Sequence, residues 1–284
     1  MNKKTILLIL IIALAIFLRL YNLDSTPPGL YPDEAINGIN AIIANQTGDY
    51  KIFYPENNGR EGFFMNYIAM LFKIFGTNDW VIRLASAIIG ILTVIGFYLL
   101  SKELFSTNFA LMSSFLLATS FWHLNFSRIG FRAIMAPFLI CFALYFFIKG
   151  LKSGKWWNFV LSGLFFGWGF HTYIAYRFAP FIFLTALILF WIYNKFDTKK
   201  IFKNLGIMAV VAIIITLPIA FYFIQNPQDF MGRSGQVSVF AGNFIKNISS
   251  SILKTAFMFN VYGDGNWRHN LSGMPALPLI LGLF

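Results

Sequence analysis

Charged residues and cysteine are both scarce in this sequence. Only 12% of its 284 residues are Asp, Glu, Lys or Arg, and the mean hydropathy is +0.67, whereas a soluble domain carries roughly 25% charged residues. The single cysteine, Cys141, lies in an apolar stretch, which excludes a disulfide framework and a cysteine-based metal site. The sequence also lacks Walker, Rossmann, zincin and nucleophile-elbow motifs, and this disfavours nucleotide-dependent chemistry. The composition therefore indicates a chain whose solvent is lipid.

Seven apolar stretches predict membrane-spanning helices. They cover residues 5–21, 80–100, 108–124, 133–148, 157–170, 178–193 and 205–224. A helix needs about 17–25 residues to cross a bilayer, so several of these stretches are near the lower limit. The alternative for the first stretch is a cleaved signal peptide, although six further stretches make an uncleaved first span simpler. An eighth run stops at residue 284, and we therefore expect a fragment of a longer protein.

The loops between these stretches fall into two groups by their basic residues. One group carries only lysines, which are Lys3, Lys4, Lys102, Lys149, Lys152, Lys155, Lys195, Lys199, Lys200 and Lys203. Cytoplasmic loops are rich in Lys and Arg, so we expect these loops and the N-terminus in the cytoplasm. All eight arginines and all three histidines then lie outside. The sequence thus predicts a multi-pass plasma-membrane protein. Because the guanidinium of arginine binds phosphate in a planar, two-point geometry, the outer arginines predict an active site that faces outward.

Two long outer segments, residues 22–79 and 225–275, separate the spans. Loops of this length are usually functional or disordered. Each contains an apolar stretch, residues 62–75 and 240–259, that predicts an amphipathic helix in the membrane interface. With no internal repeat, residues 1–284 are predicted to form one all-α integral membrane domain. Its expected architecture is a multi-span helical bundle with interfacial helices in the long outer loops.

The first outer segment holds two adjacent acids, Asp33 and Glu34, directly after Pro32. Apolar residues then recur at helical spacing, so a helix is predicted to begin here. The acids suit a general base and its neighbour, or else Asp33 is an N-cap and Glu34 a first-turn acid. Arg60 and Glu61 precede the next apolar helix. They are candidates for substrate contact, and the alternative is a solvated helix start.

Two span exits also carry candidate binding residues. Arg128 and Arg132 are four residues apart, so they share one helix face if this stretch is helical. They are predicted either to clamp a lipid phosphate or to reach toward lipid headgroups. His171, Tyr173 and Arg177 follow the fifth span. They form either a substrate-binding cluster or an aromatic belt with an anchoring arginine.

The last outer segment concentrates polar groups between glycines. Asp264, Arg268, His269 and Asn270 lie within a few residues of one another, and glycine permits the backbone to approach a ligand closely. We interpret the string as a substrate-binding loop, with a plain surface turn as the alternative. Asp264 with His269 suggests a divalent metal only weakly, because two ligands without defined spacing are a poor signal.

These motifs together resemble the GT-C membrane glycosyltransferases of the protein O-mannosyltransferase and aminoarabinose-transferase type. The resemblance covers the whole chain and rests on four strings, GLYPDEAINGINA, WVIRLASAIIGILTV, FSRIGFRA and GDGNWRHNLSGMP. It implies a polyprenyl-phosphate sugar donor, inverting transfer, and an acid in the first loop, Asp33, as the base. Related enzymes often carry a second acid after the third span, whereas residues 128–137 hold none, so a metal site and a two-acid mechanism stay open.

The predicted function is therefore sugar transfer from a polyprenyl-phosphate lipid to an acceptor protein, lipid or glycan. The alternatives are a lipid or small-molecule transporter or flippase, and a non-catalytic membrane scaffold. Transporters often show repeats and charges at the membrane midplane, while here the charges crowd at one face. Nucleic acid is not an expected partner, because the basic residues are spread between hydrophobic spans.

Overall fold

The computed structural model describes residues 2–193, 198–236, 244–267 and 269–277. These residues form helices almost throughout, which confirms the all-α prediction. The helices are α1 (Lys3–Leu20), α2 (Pro32–Thr47), α3 (Phe63–Phe75), α4 (Asp79–Leu104), α5 (Thr107–Thr119), α6 (Phe121–Arg128), α7 (Met135–Ser153), α8 (Trp156–Gly169), α9 (Ala179–Tyr193), α10 (Thr198–Gln225), α11 (Pro227–Gln236) and α12 (Phe244–Phe257). Two short antiparallel strands, β1 (Phe53–Tyr54) and β2 (Arg60–Glu61), form a hairpin between α2 and α3.

Helices occupy all seven predicted spans, but they differ in length. Four helical stretches among the described residues are long and apolar enough to cross a membrane, namely Asp79–Leu104, Arg132–Ser153, Ile174–Tyr193 and Ile201–Gln225. The helices at the other three positions are α1, with 18 residues, α5, with 13, and α8, with 14. At about 1.5 Å per residue, α5 is roughly 20 Å long, which is shorter than a hydrocarbon core of about 30 Å. The chain is nevertheless a multi-pass membrane protein by its apolar helices.

The third span ends differently from its sequence prediction. The helix breaks at Ser120 between α5 and α6, and α6 ends at Arg128. Ile129 and Phe131 are extended, and Arg132 begins a separate 3₁₀ turn. The stretch from Arg128 to Arg132 is therefore not one helix, so the condition for a shared helix face is not met.

The start of α2 is set by its first residues. Pro32 occupies the first helical position, where its missing N–H costs nothing and its fixed φ suits the helix. Tyr31 is the N-cap, and its backbone N–H donates to Glu34 Oε2 over 3.1 Å. The alternative in which Asp33 is the N-cap is therefore wrong, and Asp33 and Glu34 are both first-turn acids.

The first outer segment is part of the packed core. Side chains of α2 and α3 pack against the start of α4 and the turn before α7, with Ala41, Phe64, Ile68, Val81 and Ile134 all nearly inaccessible to solvent. The outer face of α3 keeps large apolar side chains exposed, as its amphipathic pattern predicts. In the last segment, α12 lies within the predicted stretch 240–259 and buries none of its described residues. The first outer segment, unlike α12, is therefore packed against the helical bundle.

Candidate active site

Four segments that are distant in sequence meet around the ring of Phe131. Its centroid lies 6.3 Å from that of Tyr31, 5.7 Å from Phe126, 6.1 Å from Tyr173 and 5.5 Å from His269. These rings come from the first outer segment, the exits of the third and fifth spans, and the last outer segment. The structure therefore gathers the four regions that the sequence singled out.

Asp33 is partly exposed and follows Tyr31, whose ring is part of this cluster, by two residues. The side-chain amide of Asn57 donates to Asp33 Oδ1 over 2.7 Å. The first turn of α2 also supports a negative charge here, because the N-terminal end of a helix carries partial positive charge. A carboxylate that is oriented and accessible has the geometry that a general base requires.

Glu34 has a different environment although it is the next residue. Its side chain is only 1% exposed and faces the core. Glu34 Oε1 lies 3.4 Å from Arg83 Nε, and the backbone N–H of Gly130 donates to the same oxygen over 2.7 Å. Successive helical residues point in different directions, so one acid faces outward and the other ties α2 to α4. Glu34 is thereby placed to hold Asp33 in position.

Gly130 allows the contact with Glu34 because the surrounding chains leave no room for a side chain at this position. A Cβ atom at this position would lie 2.4 Å from Ile82 Cγ2 and 3.4 Å from Glu34 Cγ. Any other residue would force the Ile82 side chain of α4 to move, because real Cβ atoms do not approach within 3.0 Å, and would fill the space beside Glu34. Gly130 lies within the FSRIGFRA motif, and nothing in that string indicates this close approach.

Arg83 is the other member of the buried pair and was missed as a site residue. Its guanidinium also donates to the backbone carbonyls of Leu23, at 3.1 Å, and Gly29. Charged residues inside apolar spans are rare and nearly always have a partner. Its position within the apolar run of α4 therefore indicated that an acid lies nearby. The sequence did not indicate which acid this is.

Arg60 is fully buried, so its interpretation as part of a solvated helix start is wrong. It donates to Asn37 Oδ1 over 2.8 Å and to Asn40 Oδ1 over 2.5 Å, both on α2. Burial, and then the nearby positive charge of Arg132, lower the pKa of Arg60. Arg60 thus joins the β1–β2 hairpin to the helix that carries Asp33.

Glu61 and Arg132 lie together beside the Phe131 ring. Glu61 Oε2 is 3.7 Å from Arg132 Nε, and both side chains are nearly inaccessible to solvent. The guanidinium of Arg132 stands over the Tyr173 ring at 5.4 Å, a cation–π arrangement that also orients its planar fork. Among the arginines that were predicted to bind substrate and that the structure describes, Arg132 therefore lies next to the Phe131 ring cluster.

Arg128 is directed at the end of α1 instead. It donates to the carbonyls of Leu18 and Tyr21 over 2.8 Å and of Thr26 over 2.9 Å. The last carbonyls of a helix lack partners within the helix, and basic side chains commonly satisfy them. Arg128 thus binds the backbone that leads from the first span to Asp33.

The predicted cluster after the fifth span is divided between three places. Tyr173 joins Phe131, while His171 Nε2 donates to the carbonyl of Ile215 over 2.8 Å. Burial lowers the pKa of His171, so the ring is neutral at physiological pH. The guanidinium of Arg177 lies over the ring of Phe230 at 4.3 Å.

A cavity of about 300 Å³ adjoins His171 between the hairpin, α3, α8 and α10. Its lining residues are Ile52, Phe63, Asn66, Leu164, Trp168, His171 and Ile215. The walls are mainly apolar with two polar side chains, which is typical of small-molecule sites.

The last outer segment reaches the meeting point through His269. Its ring Nδ1 lies 3.3 Å from Asp264 Oδ2, and its carbonyl accepts a hydrogen bond from Asn125 over 3.0 Å. Asn270 is buried and donates to the carbonyl of Met274. Arg268 lies outside the described residues. Within the described ranges, no group of three or more His, Cys, Asp or Glu residues could hold a metal ion.

Known proteins resemble this chain both in sequence and in fold. Residues 62–222, more than half of the chain, match the family of dolichyl-phosphate-mannose-protein mannosyltransferases. The Bacillus subtilis protein YkcB, named a mannosyltransferase, is 25% identical over 75% of this chain. The chain spans 31% of the length of that relative.

Solved structures show the same fold at low sequence identity. The apo structure of ArnT from Cupriavidus metallidurans has a TM-score of 0.64 and 17% identity, and the match covers 80% of this chain and 44% of ArnT. The S. cerevisiae protein O-mannosyltransferase Pmt1–Pmt2 complex bound to the sugar donor has a TM-score of 0.62 and 19% identity, over 82% of this chain and 34% of that chain. These proteins are GT-C glycosyltransferases, and the resemblance predicted from the sequence is confirmed. The chain belongs to the dolichyl-phosphate-mannose-protein mannosyltransferase family and has the GT-C membrane fold.

Proposed function

We propose that this protein transfers a sugar from a polyprenyl-phosphate lipid to an acceptor hydroxyl on the outer face of the membrane. The observation that carries the proposal is the position of Asp33. Asp33 is partly exposed, its carboxylate accepts a hydrogen bond from Asn57, and it follows by two residues Tyr31, a member of the Phe131 ring cluster where four motif-bearing segments meet. Its neighbour Glu34 is buried in an ion pair, so Asp33 alone of the two acids can meet a substrate.

The reaction follows from these groups. Asp33 accepts the proton of the acceptor hydroxyl, and the resulting oxygen nucleophile attacks the anomeric carbon of the donor sugar. The bond from that carbon to the phosphate oxygen breaks, the configuration inverts, and the lipid phosphate leaves with its electron pair. Negative charge grows on the phosphate as it leaves, and a preorganised cation at that point lowers the barrier. Arg132, which lies over the Tyr173 ring although its side chain is nearly buried beside Glu61, is the described candidate, and Arg268 remains a candidate from the sequence.

Related proteins support this donor class. The Pmt1–Pmt2 structure contains its sugar donor, and the AglB structure from Archaeoglobus fulgidus contains an inhibitory peptide and a dolichol-phosphate. AglB matches 90% of this chain and 36% of its own length, with a TM-score of 0.63 and 18% identity. Both are larger proteins with the same fold, and their printed ligands support a lipid-phosphate donor for this chain.

A donor panel tests the proposal. Full-length protein in lipid vesicles is given polyprenyl phosphates bearing tritiated mannose, glucose, galactose or aminoarabinose, with a membrane extract of the host cell as acceptor. We expect the label of at least one donor to move from the lipid to an acceptor product. If none of the donors loses its sugar, the proposal is contradicted. Movement of the intact donor between leaflets without cleavage supports a flippase instead.

The outward orientation of the site has its own test. Cys141 is buried, so single cysteines introduced at exposed serines report on their own loops. We expect Ser272→Cys to react with an impermeant maleimide in intact cells, and Ser153→Cys to react only after permeabilisation, because Ser153 lies in a lysine-rich loop. The unaltered protein controls for Cys141. Labelling of Ser153→Cys in intact cells contradicts the orientation.

A further inference from the structure

The hairpin between α2 and α3 ends in an unusual turn. Asn57, Asn58 and Gly59 have φ values of 52°, 65° and 79°, so three consecutive residues are left-handed. Glycine adopts this conformation freely, and asparagine is the side chain that tolerates it best. The turn therefore depends on these residue types, and it presents the Asn57 side chain toward α2.

The turn is anchored from two sides. A Cβ atom at Gly59 would lie 2.7 Å from Phe53 Cζ, so the turn lies directly on the Phe53 ring. That ring packs against Tyr222 and Phe223 of α10, with centroids 5.3 and 5.1 Å away. The turn is thus packed against strand β1 of the hairpin and, through the Phe53 ring, against α10.

Arg60 supplies the second anchor. Its Nε donates to the carbonyl of Glu56 over 3.3 Å, while its other nitrogens bind Asn37 and Asn40 of α2. One buried guanidinium therefore joins the turn to the helix that carries Asp33. The amide of Asn57 reaches Asp33 Oδ1 at 2.7 Å as a result of this construction.

We propose that Asn57 is a positioning residue that fixes the Asp33 carboxylate and aims its Oδ2 atom at the acceptor hydroxyl. This inference rests on the proposed function, in which Asp33 is the base. The partner on Oδ1 restricts rotation of a short side chain on the first turn of α2. Geometry of this kind matters because a misplacement of about 1 Å can cost roughly a hundredfold in rate.

The side-chain amide of Asn57 is an uncharged donor, and this matters for the Asp33 carboxylate that it contacts. A guanidinium at this distance would strongly favour the ionised carboxylate and weaken it as a base. Arg60, the nearest cation of the hairpin, is instead bound to the amide oxygens of α2. An amide donor therefore orients the carboxylate through Oδ1 without adding a full positive charge to it.

Asn57→Gly separates the two roles that Asn57 can have. Glycine accepts a positive φ without strain, so a residue needed only for the turn is replaced without loss. We expect Asn57→Gly to lower kcat about tenfold, the scale of a lost hydrogen bond to a charged group, with the donor KM unchanged. Asn57→Asp keeps the shape but sets a like charge beside Asp33, and we expect at least the same loss.

Asn22→Gly is the matched control. Asn22 is another left-handed asparagine of the same outer segment, with φ 52°, and its amide donates to Thr26 Oγ1 rather than to a carboxylate. We expect its kcat to equal that of the unaltered protein. The turnover of all variants is measured with whichever panel donor the protein uses.

A double-mutant cycle with Asp33→Asn completes the test. If Asn57 acts through Asp33, Asn57→Gly causes no further loss in the Asp33→Asn background. Full kcat of Asn57→Gly alongside a large loss in Asp33→Asn overturns the positioning role and leaves the base intact. Equal losses from Asn57→Gly in both backgrounds also overturn it. Near-full turnover of Asp33→Asn instead overturns the proposed base.

Discussion

Asp33→Asn is expected to lower the turnover of sugar transfer by about a hundredfold or more, the usual range for loss of a general base. The amide keeps the shape of the side chain and its position in the first turn of α2, but it cannot take up the acceptor proton. Single-turnover transfer of the labelled sugar measures the chemical step directly. The thermal unfolding midpoint of the same preparation shows whether the protein remains folded.

The structure supplies a control for this substitution. Asp49 is an exposed acid of the same outer segment, two residues beyond the end of α2, and Asp49→Asn removes the same charge away from the Phe131 cluster. We expect that variant to keep full turnover. A well-folded Asp33→Asn protein that transfers sugar at nearly the normal rate would remove Asp33 from the mechanism.

Local signals predicted the helical elements and located Asp33 and Glu34 at the start of a helix. Apolar runs located the helices, because lipid-exposed and buried positions both require apolar side chains. The first turn of α2 was visible in the proline followed by two acids, and the prediction of Asp33 needed no tertiary contact. The shorter helices were harder to bound, since Ser120 divides a continuous apolar run into α5 and α6.

The partners of the charged residues were beyond sequence reasoning. Arg128 and Arg132 look alike in the sequence, yet one binds carbonyls at the end of α1 and the other pairs with Glu61. Asp33 and Glu34 look interchangeable too, and only the packing of α2 on α4 makes one exposed and the other buried. Such distinctions depend on contacts between residues far apart in the chain, which a single sequence does not reveal.

The buried pair of Glu34 and Arg83 gives the largest expected effect on stability. Arg83→Met is expected to lower the free energy of unfolding by about 3–5 kcal/mol, because it leaves a buried carboxylate without its charged partner. The carbonyls of Leu23 and Gly29 also lose a donor in this variant. The loop that leads to Asp33 should therefore loosen, and turnover should fall with stability.

The double variant Glu34→Gln with Arg83→Met identifies the cause of that loss. It removes the uncompensated charge, so we expect it to be more stable than Arg83→Met alone, although the orphaned carbonyls keep it below the unaltered protein. Lys102→Met is the control, since Lys102 is an exposed cation near the other end of α4, and surface substitutions usually stay within about 0.5 kcal/mol. Unfolding in mixed detergent micelles compares the four proteins. Equal stability of Arg83→Met and Lys102→Met would show that the ion pair does not hold α2 against α4.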